Sequence, residues 1–341
     1  MTSAIPGIPA CRLANAAILI TIVATQFSCE PAPVENAYER DVPRLIALIG
    51  ESESDAAWPV LQAAVARFKN DNPGFEVDLI APPSPSPTGQ QKLLDDLAKK
   101  TVSCVCIIPS DALSLRSAVK QLATGGRPVV TIGMDVPDSR RTVFSGPSEL
   151  EIGQAAAAAC ALTLENRSPT VITLHAGDAN AAYSVRRHAF AQNLPVHGSI
   201  QILKELDCSG NAFDAADLIR RESRNFPRVG CWVLFDDWPL RVTARDVRLL
   251  PLGSRMVVCG DSPEYLDRVR RGELQAMITF DFFEAVENAL ATARALIENP
   301  TAERPPFVMS KTLTITISEL DWYERCWTNW RRGQRSPPEG P

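Results

Sequence analysis

The segment VVCGDSPEYLDRVRRGELQAMI, Val257 to Ile278, carries the most evident chemistry of the chain. Gly260-Asp261-Ser262 admits two readings. Either Ser262 is the nucleophile of an ester hydrolase, or Asp261 is a strand-end carboxylate that accepts hydrogen bonds from a ligand. A serine nucleophile needs an imidazole within hydrogen-bond reach. The three histidines, His175, His188 and His197, all precede Ser262, and no Asp-x-x-His follows it. Ser262 before Pro263 reads better as a helix N-cap with proline in the first turn. Asp261 is therefore the candidate, as an acceptor.

Other chemistries have weaker support. Gly50-Glu51-Ser52 lacks further glycines and a following lysine, and Glu51 stands where a phosphate would need donors. Nine cysteines invite a metal or disulfide reading. Cys11 and Cys29 fall in the leader, and no Cys-x-x-Cys occurs. Cys104, Cys106, Cys231 and Cys259 sit in apolar runs, where cysteine behaves as a small buried hydrophobe. No metal and no cofactor is expected. The net charge is −5, without a basic stripe, which disfavours nucleic acid.

The elements that must position Asp261 alternate along the chain. Short apolar runs at 45–50, 75–80, 102–108 and 128–132 read as buried strands. Amphipathic helices separate them, the first with Asp55 near its cap and Pro59 in its first turn. The alternation restarts after about residue 147. Strands follow at 171–174, 200–206, 231–235, 256–259 and 275–279, then a long helix at 281–298 and an extended segment at 309–317. Alternating helices and buried strands imply parallel sheets with right-handed crossovers. The chain of 341 residues, 45% hydrophobic, is long enough for two such lobes. Ligands of open parallel sheets bind beyond the carboxyl ends of the strands. The residues to inspect are thus Gly50–Trp58, Pro109–Asp111, Gly133–Asp135, Gly177–Asp178, Asp236–Trp238, Asp261 and Phe280.

In order, LIALIGESESDAAWPVLQAAVARF, CVCIIPSDALSL, GRPVVTIGMDVPDS, SGPSELEIGQAAA, YSVRRHAF, VLFDDWP and MVVCGDSPEYLDRVRRGELQAMI resemble segments of the ribose/galactose type of periplasmic sugar-binding protein. The resemblance runs over about residues 43–300. It implies an α/β fold of two doubly wound parallel-sheet lobes, joined by a three-crossover hinge near Gly146, Phe280 and Met309. The lobes would be 44–146 plus 281–308, and 147–280 plus 309–330. It also implies roles. Trp58 would stack on a sugar ring, Arg186 would donate to sugar oxygens, and Asp261 would accept from hydroxyls. Glu51, Glu149 and Asp236 would be further hydrogen-bonding positions. Gly133 and Met134 depart from the family's polar pair, with Asp135 two positions on as a substitute, and Phe280 replaces the hinge glutamine. Hydrogen bonds to charged groups contribute roughly 1.5–3 kcal/mol each, so losing two or three disfavours ribose itself. The ring of Glu51, Glu149, Asp236 and Asp261 against one arginine suits a neutral hydroxyl-rich ligand or one carrying an amine.

The termini read differently from the body. Ala14 to Phe27 is an apolar run after Arg12, too short to span a bilayer but suited to a signal peptide over 1–28. Ser28-Cys29 resembles a lipobox with Gln26 at a usually aliphatic position, which makes Cys29 a candidate lipidation site. A plain signal peptide or an uncleaved anchor are the alternatives. All three put the body outside the cytoplasm, after a tether over 29–43. The tail 331–341 is expected to be disordered, and Trp322, Trp327 and Trp330 to pack the last segment. The expected function is capture of a small polar, sugar-like solute by hinge closure, without catalysis, for an ABC permease or a sensor. Two other readings stay open: a secreted esterase, and a receptor-like module that has lost sugar binding, which Gly133, Met134 and Phe280 favour.

Overall fold

The structure, a computed structural model, describes residues 44–165, 168–176, 181–208, 211–244 and 246–338. The leader, Cys29, the tether, Gly177 and Asp178 lie outside these residues.

The first half runs β1 (Leu45–Ile49), α1 (Trp58–Asp71), β2 (Glu76–Ile80), α2 (Pro87–Leu97), β3 (Cys104–Ile107), α3 (Ala112–Thr124), β4 (Val129–Ile132) and β5 (Val143–Pro147). The second runs α4 (Glu149–Thr163), β6 (Thr170–His175), α5 (Ala181–Asn193), β7 (Gln201–Asp207), α6 (Ala212–Asn225), β8 (Cys231–Leu234), α7 (Trp238–Arg241), β9 (Met256–Cys259), α8 (Leu266–Arg270) and β10 (Ala276–Phe280). Then come α9 (Phe282–Glu298), β11 (Phe307–Ser310), β12 (Thr312–Ile315) and α10 (Leu320–Trp330).

Two six-stranded sheets result, ordered β11-β5-β4-β3-β1-β2 and β12-β10-β9-β8-β6-β7. Every pairing is parallel except β10 with β12. Strands buried on both faces need no polar alternation. In β3, Cys104 and Cys106 face one apolar layer while Val105 and Ile107 face the other. The seven described cysteines are all buried. The chain passes between the sheets after β5, after β10 and after β11.

Two packing features bear on the site. Helices α4 and α5 meet at Gly153, where an added Cβ would lie 2.2 Å from the Arg186 carbonyl oxygen. Only glycine lets α5 come so near, which brings Arg186 within reach of Glu149. Helix α10 buries Trp322, Tyr323, Trp327 and Trp330. It touches both lobes, because Arg270 of α8 pairs with Glu324 and Trp327 stacks on Phe282 at 6.4 Å between ring centroids.

Residues 331–338 correct the expectation of a disordered tail. The Gly333 carbonyl accepts from Arg67, Arg335 donates to Glu287 at 2.7 Å, and Trp330 Nε1 donates to Ser336 Oγ at 3.1 Å. The polar composition points to disorder only when no surface is offered, and the aromatic face of α10 offers one.

Candidate functional site

Each sheet reverses strand order once, between β1 and β3 in the first and between β6 and β8 in the second. Ligand crevices form at such switch points. Residues beyond these strand ends line two adjoining chambers of about 190 Å³ and about 100 Å³. Glu51, Ile108, Arg241, Asp261 and Phe282 belong to both. The cleft is one space divided where Arg241 lies.

Trp58, the first residue of α1, lines the larger chamber with Glu51 and Asp261. Its ring is half-buried and lies against Gly50. Glu149, Arg186, Asp236 and Phe280 line the smaller one. The structure thus brings seven of the eight sequence-predicted ligand residues to one cleft.

Asp135 is the exception. It lines neither chamber. Its carboxylate is held by Arg141, Nε to Oδ1 at 2.6 Å and Nη2 to Oδ2 at 2.7 Å. Arg141 also donates to the Pro306 carbonyl and lies 4.7 Å over the Phe307 ring. Asp135 therefore fastens β11 beside β5 and does not compensate for Gly133. Gly133 itself has a φ of +72°, and a Cβ there would lie 3.3 Å from Phe280 Cζ. The two departures from the family pattern are one feature: the Phe280 ring covers Gly133 and makes that wall apolar.

Arg186 is already engaged. Nε and Nη2 donate to Glu149 at 2.6 and 3.0 Å, and Nη1 donates to the Phe235 carbonyl at 2.6 Å. Glu149 opens α4 just after the first crossover, and Ser148 caps that helix. The fork holds the wall of the smaller chamber. Tyr183, one turn before Arg186, lies under its guanidinium at 5.1 Å.

Arg241 lines both chambers and is the cleft residue the sequence reading missed. Its Nε donates to Asp237 Oδ1 at 2.7 Å, and its Nη1 reaches across the cleft to Glu51 Oε1 at 3.1 Å. A signal was present, because Asp237 and Arg241 stand four apart in a strand-end segment, the spacing of a helical ion pair. Asp237 is 1% exposed, and the Tyr265 hydroxyl is the neutral donor nearest its carboxylate. Burial, then the Asp237 carboxylate, push both Asp236 and Asp261 up to about 7, with Arg241 opposing. Burial likewise raises Glu51, against the pull of Arg241. Among the described residues, nothing donates a hydrogen bond to the Asp261 carboxylate.

Ser262 caps the short turn Pro263–Tyr265, accepting from the Glu264 amide at 3.3 Å. No imidazole among the described residues lines either chamber. His175 ends β6 beside Arg187 at 3.0 Å, away from both.

The chain matches the model of the periplasmic binding protein domain over residues 46–301. None of the functionally curated proteins matches it in sequence. Among solved structures it is similar to GanP, a glucose-galactose binding protein from Geobacillus stearothermophilus. The TM-score is 0.68 at 16% identity, covering 82% of this chain and 99% of that one. It is also similar to an ABC transporter solute binding protein from Burkholderia graminis, solved in complex with D-arabinose. There the TM-score is 0.66 at 15% identity, covering 81% of this chain and 96% of that one. A chain of the XylFII-LytSN complex gives a TM-score of 0.62 at 19% identity, with 81% and 99% covered. At these identities the likeness is one of fold.

Proposed function

The chain belongs to the periplasmic binding protein family, and from that premise we propose that it captures a small sugar-like solute between its lobes for an ABC importer or a sensor. One observation carries this reading. Trp58 and Glu51 from one lobe and Asp236, Asp237 and Asp261 from the other line a single divided cleft at the switch points of both sheets. An aromatic face suits the apolar side of a sugar ring, and carboxylates suit its hydroxyls. The solved relatives with glucose-galactose binding and with bound D-arabinose support the same class of ligand. Contacts to both lobes favour the closed form, and that difference in affinity drives closure. Catalysis has no role in this reading.

A panel of sugars and polyols in a thermal-shift assay tests it. At least one compound raises the melting temperature, and Asp261→Ala weakens its binding by about tenfold or more in titration calorimetry. Tenfold corresponds to about 1.4 kcal/mol, the lower end of one hydrogen bond to a charged group. A panel in which nothing stabilises the protein favours the second reading, a receptor-like module without a small ligand. The Phe280 ring over Gly133 is the observation on that side.

The body is proposed to lie outside the cytoplasm, tethered by lipid on Cys29. Cys29→Ala then moves the protein from the membrane fraction to the soluble fraction of its cells. Unchanged partitioning removes the lipid from the proposal.

A further inference from the structure

Among the described residues, two guanidiniums line the cleft, Arg186 in the smaller chamber and Arg241 in both. A guanidinium donates from all three nitrogens and accepts nothing. The two differ in what they have left to donate. Arg186, the arginine to which the family resemblance points, has every nitrogen engaged by Glu149 and the Phe235 carbonyl, and its side chain is 11% exposed. Arg241 is 44% exposed. Its Nε donates to Asp237 and its Nη1 to Glu51, while its Nη2 has no hydrogen-bond partner among the described residues.

The chain builds this arrangement locally. Asp237 precedes α7 and Arg241 ends it, one helical turn later. Gly260, at the end of β9, makes room for Asp237, because a Cβ there would lie 2.8 Å from the Asp237 Cβ. The buried Asp237 carboxylate is thus a fixed support. Its bond to Nε at 2.7 Å orients the guanidinium, and Nη1 reaches Glu51 of the other lobe at 3.1 Å. A pair as exposed as Arg241 with Glu51 is weak, so a ligand oxygen can join it at Nη2 or replace Glu51 at Nη1.

Position and need agree with this. Arg241 lies where the chambers meet, so a solute that reaches from Trp58 to Asp236 passes it. Sugar hydroxyls both donate and accept, so their site needs donors beside its carboxylates. The wall at Gly133 and Met134 carries no donor side chain, and Phe280 covers Gly133.

Resting on the capture reading, we propose that Arg241 is a ligand-binding, specificity-determining residue, whose Nη groups donate to a hydroxyl oxygen of a neutral sugar. Asp237 positions it, and Arg186 holds the wall.

Titration calorimetry on the full chain tests this with D-glucose, D-galactose, D-arabinose and D-tagatose, and with the monodeoxy forms of each sugar that binds. Arg241→Ala weakens the bound sugar by about tenfold or more. A merely structural role would lower the affinity for all deoxy forms alike. As a ligand donor, Arg241 makes one hydroxyl count. The form lacking it binds the parent about tenfold more weakly than the full sugar, and in Arg241→Ala that difference falls below about threefold. Arg241→Lys keeps a positive charge beside Asp237 without the planar fork. Where Arg241→Ala does not fold, or binds too weakly to compare, the same difference shrinks by about threefold or more in Arg241→Lys. Deoxy differences that all survive in the variants overturn the inference and leave sugar capture standing. Binding of none of the four sugars by the parent overturns both.

Discussion

Asp261 shows how one buried carboxylate among charged neighbours sets a pH response. Its carboxyl is pushed from the usual 3.8 to about 7, by burial first and then by Asp237, Asp55 and Glu51, with Arg241 pulling the other way. The folded chain holds a proton that the unfolded chain has released between about pH 4 and pH 7. Stability from this group is therefore lost as pH rises through that window. Asp261→Asn removes the loss. The variant's gain in melting temperature over the ligand-free parent grows from about pH 4 to about pH 7 and is level above. A gain that stays flat or shrinks across the window contradicts this account. Arg241, in contrast, is 44% exposed at its side chain, and pairs of that exposure contribute about 1 kcal/mol or less. It lies in the cleft, and its pair with Glu51 adds little to holding the lobes together.

At the scale of elements, α4 and α5 act as a unit. Gly153 brings them together, and the Glu149–Arg186 fork locks them, with side chains 14% and 11% exposed. Removing one partner of such a pair leaves a charge buried alone and costs about 3–5 kcal/mol. Arg186→Ala therefore lowers the free energy of unfolding in urea by about that much, so reduced ligand binding in this variant reports stability first. A loss under about 1 kcal/mol marks the fork as dispensable. Most elements were legible locally, β1 and β3 as short continuous apolar runs and α9 from its helical periodicity. Strand β5 was not, because its Ser145-Gly146-Pro147 carries breaker residues. It forms a strand because β4 and β11 pair with it on either side. Helix α10 was read only as aromatic packing. Its helical form depends on a surface shared by α1, α8 and Phe282, which no local window contains.

At the scale of the whole molecule, two switch points face one cleft, three crossovers join the sheets, and α10 packs against both lobes. The sequence by itself determined the alternation of buried strand and amphipathic helix, and hence two parallel sheets. It also determined which residues stand just beyond the strand ends, Trp58, Asp236, Asp261 and Phe280 among them. These follow from contacts within a few residues, where period and capping act. Only the tertiary structure decided how the charges pair: Arg186 with Glu149, Asp135 with Arg141, and Arg241 with Asp237 and Glu51. A charged side chain is polar wherever it lies. Whether it is free for a ligand depends on which opposite charge the fold sets within about 4 Å, and for Arg241 and Glu51 those partners lie far apart in the chain.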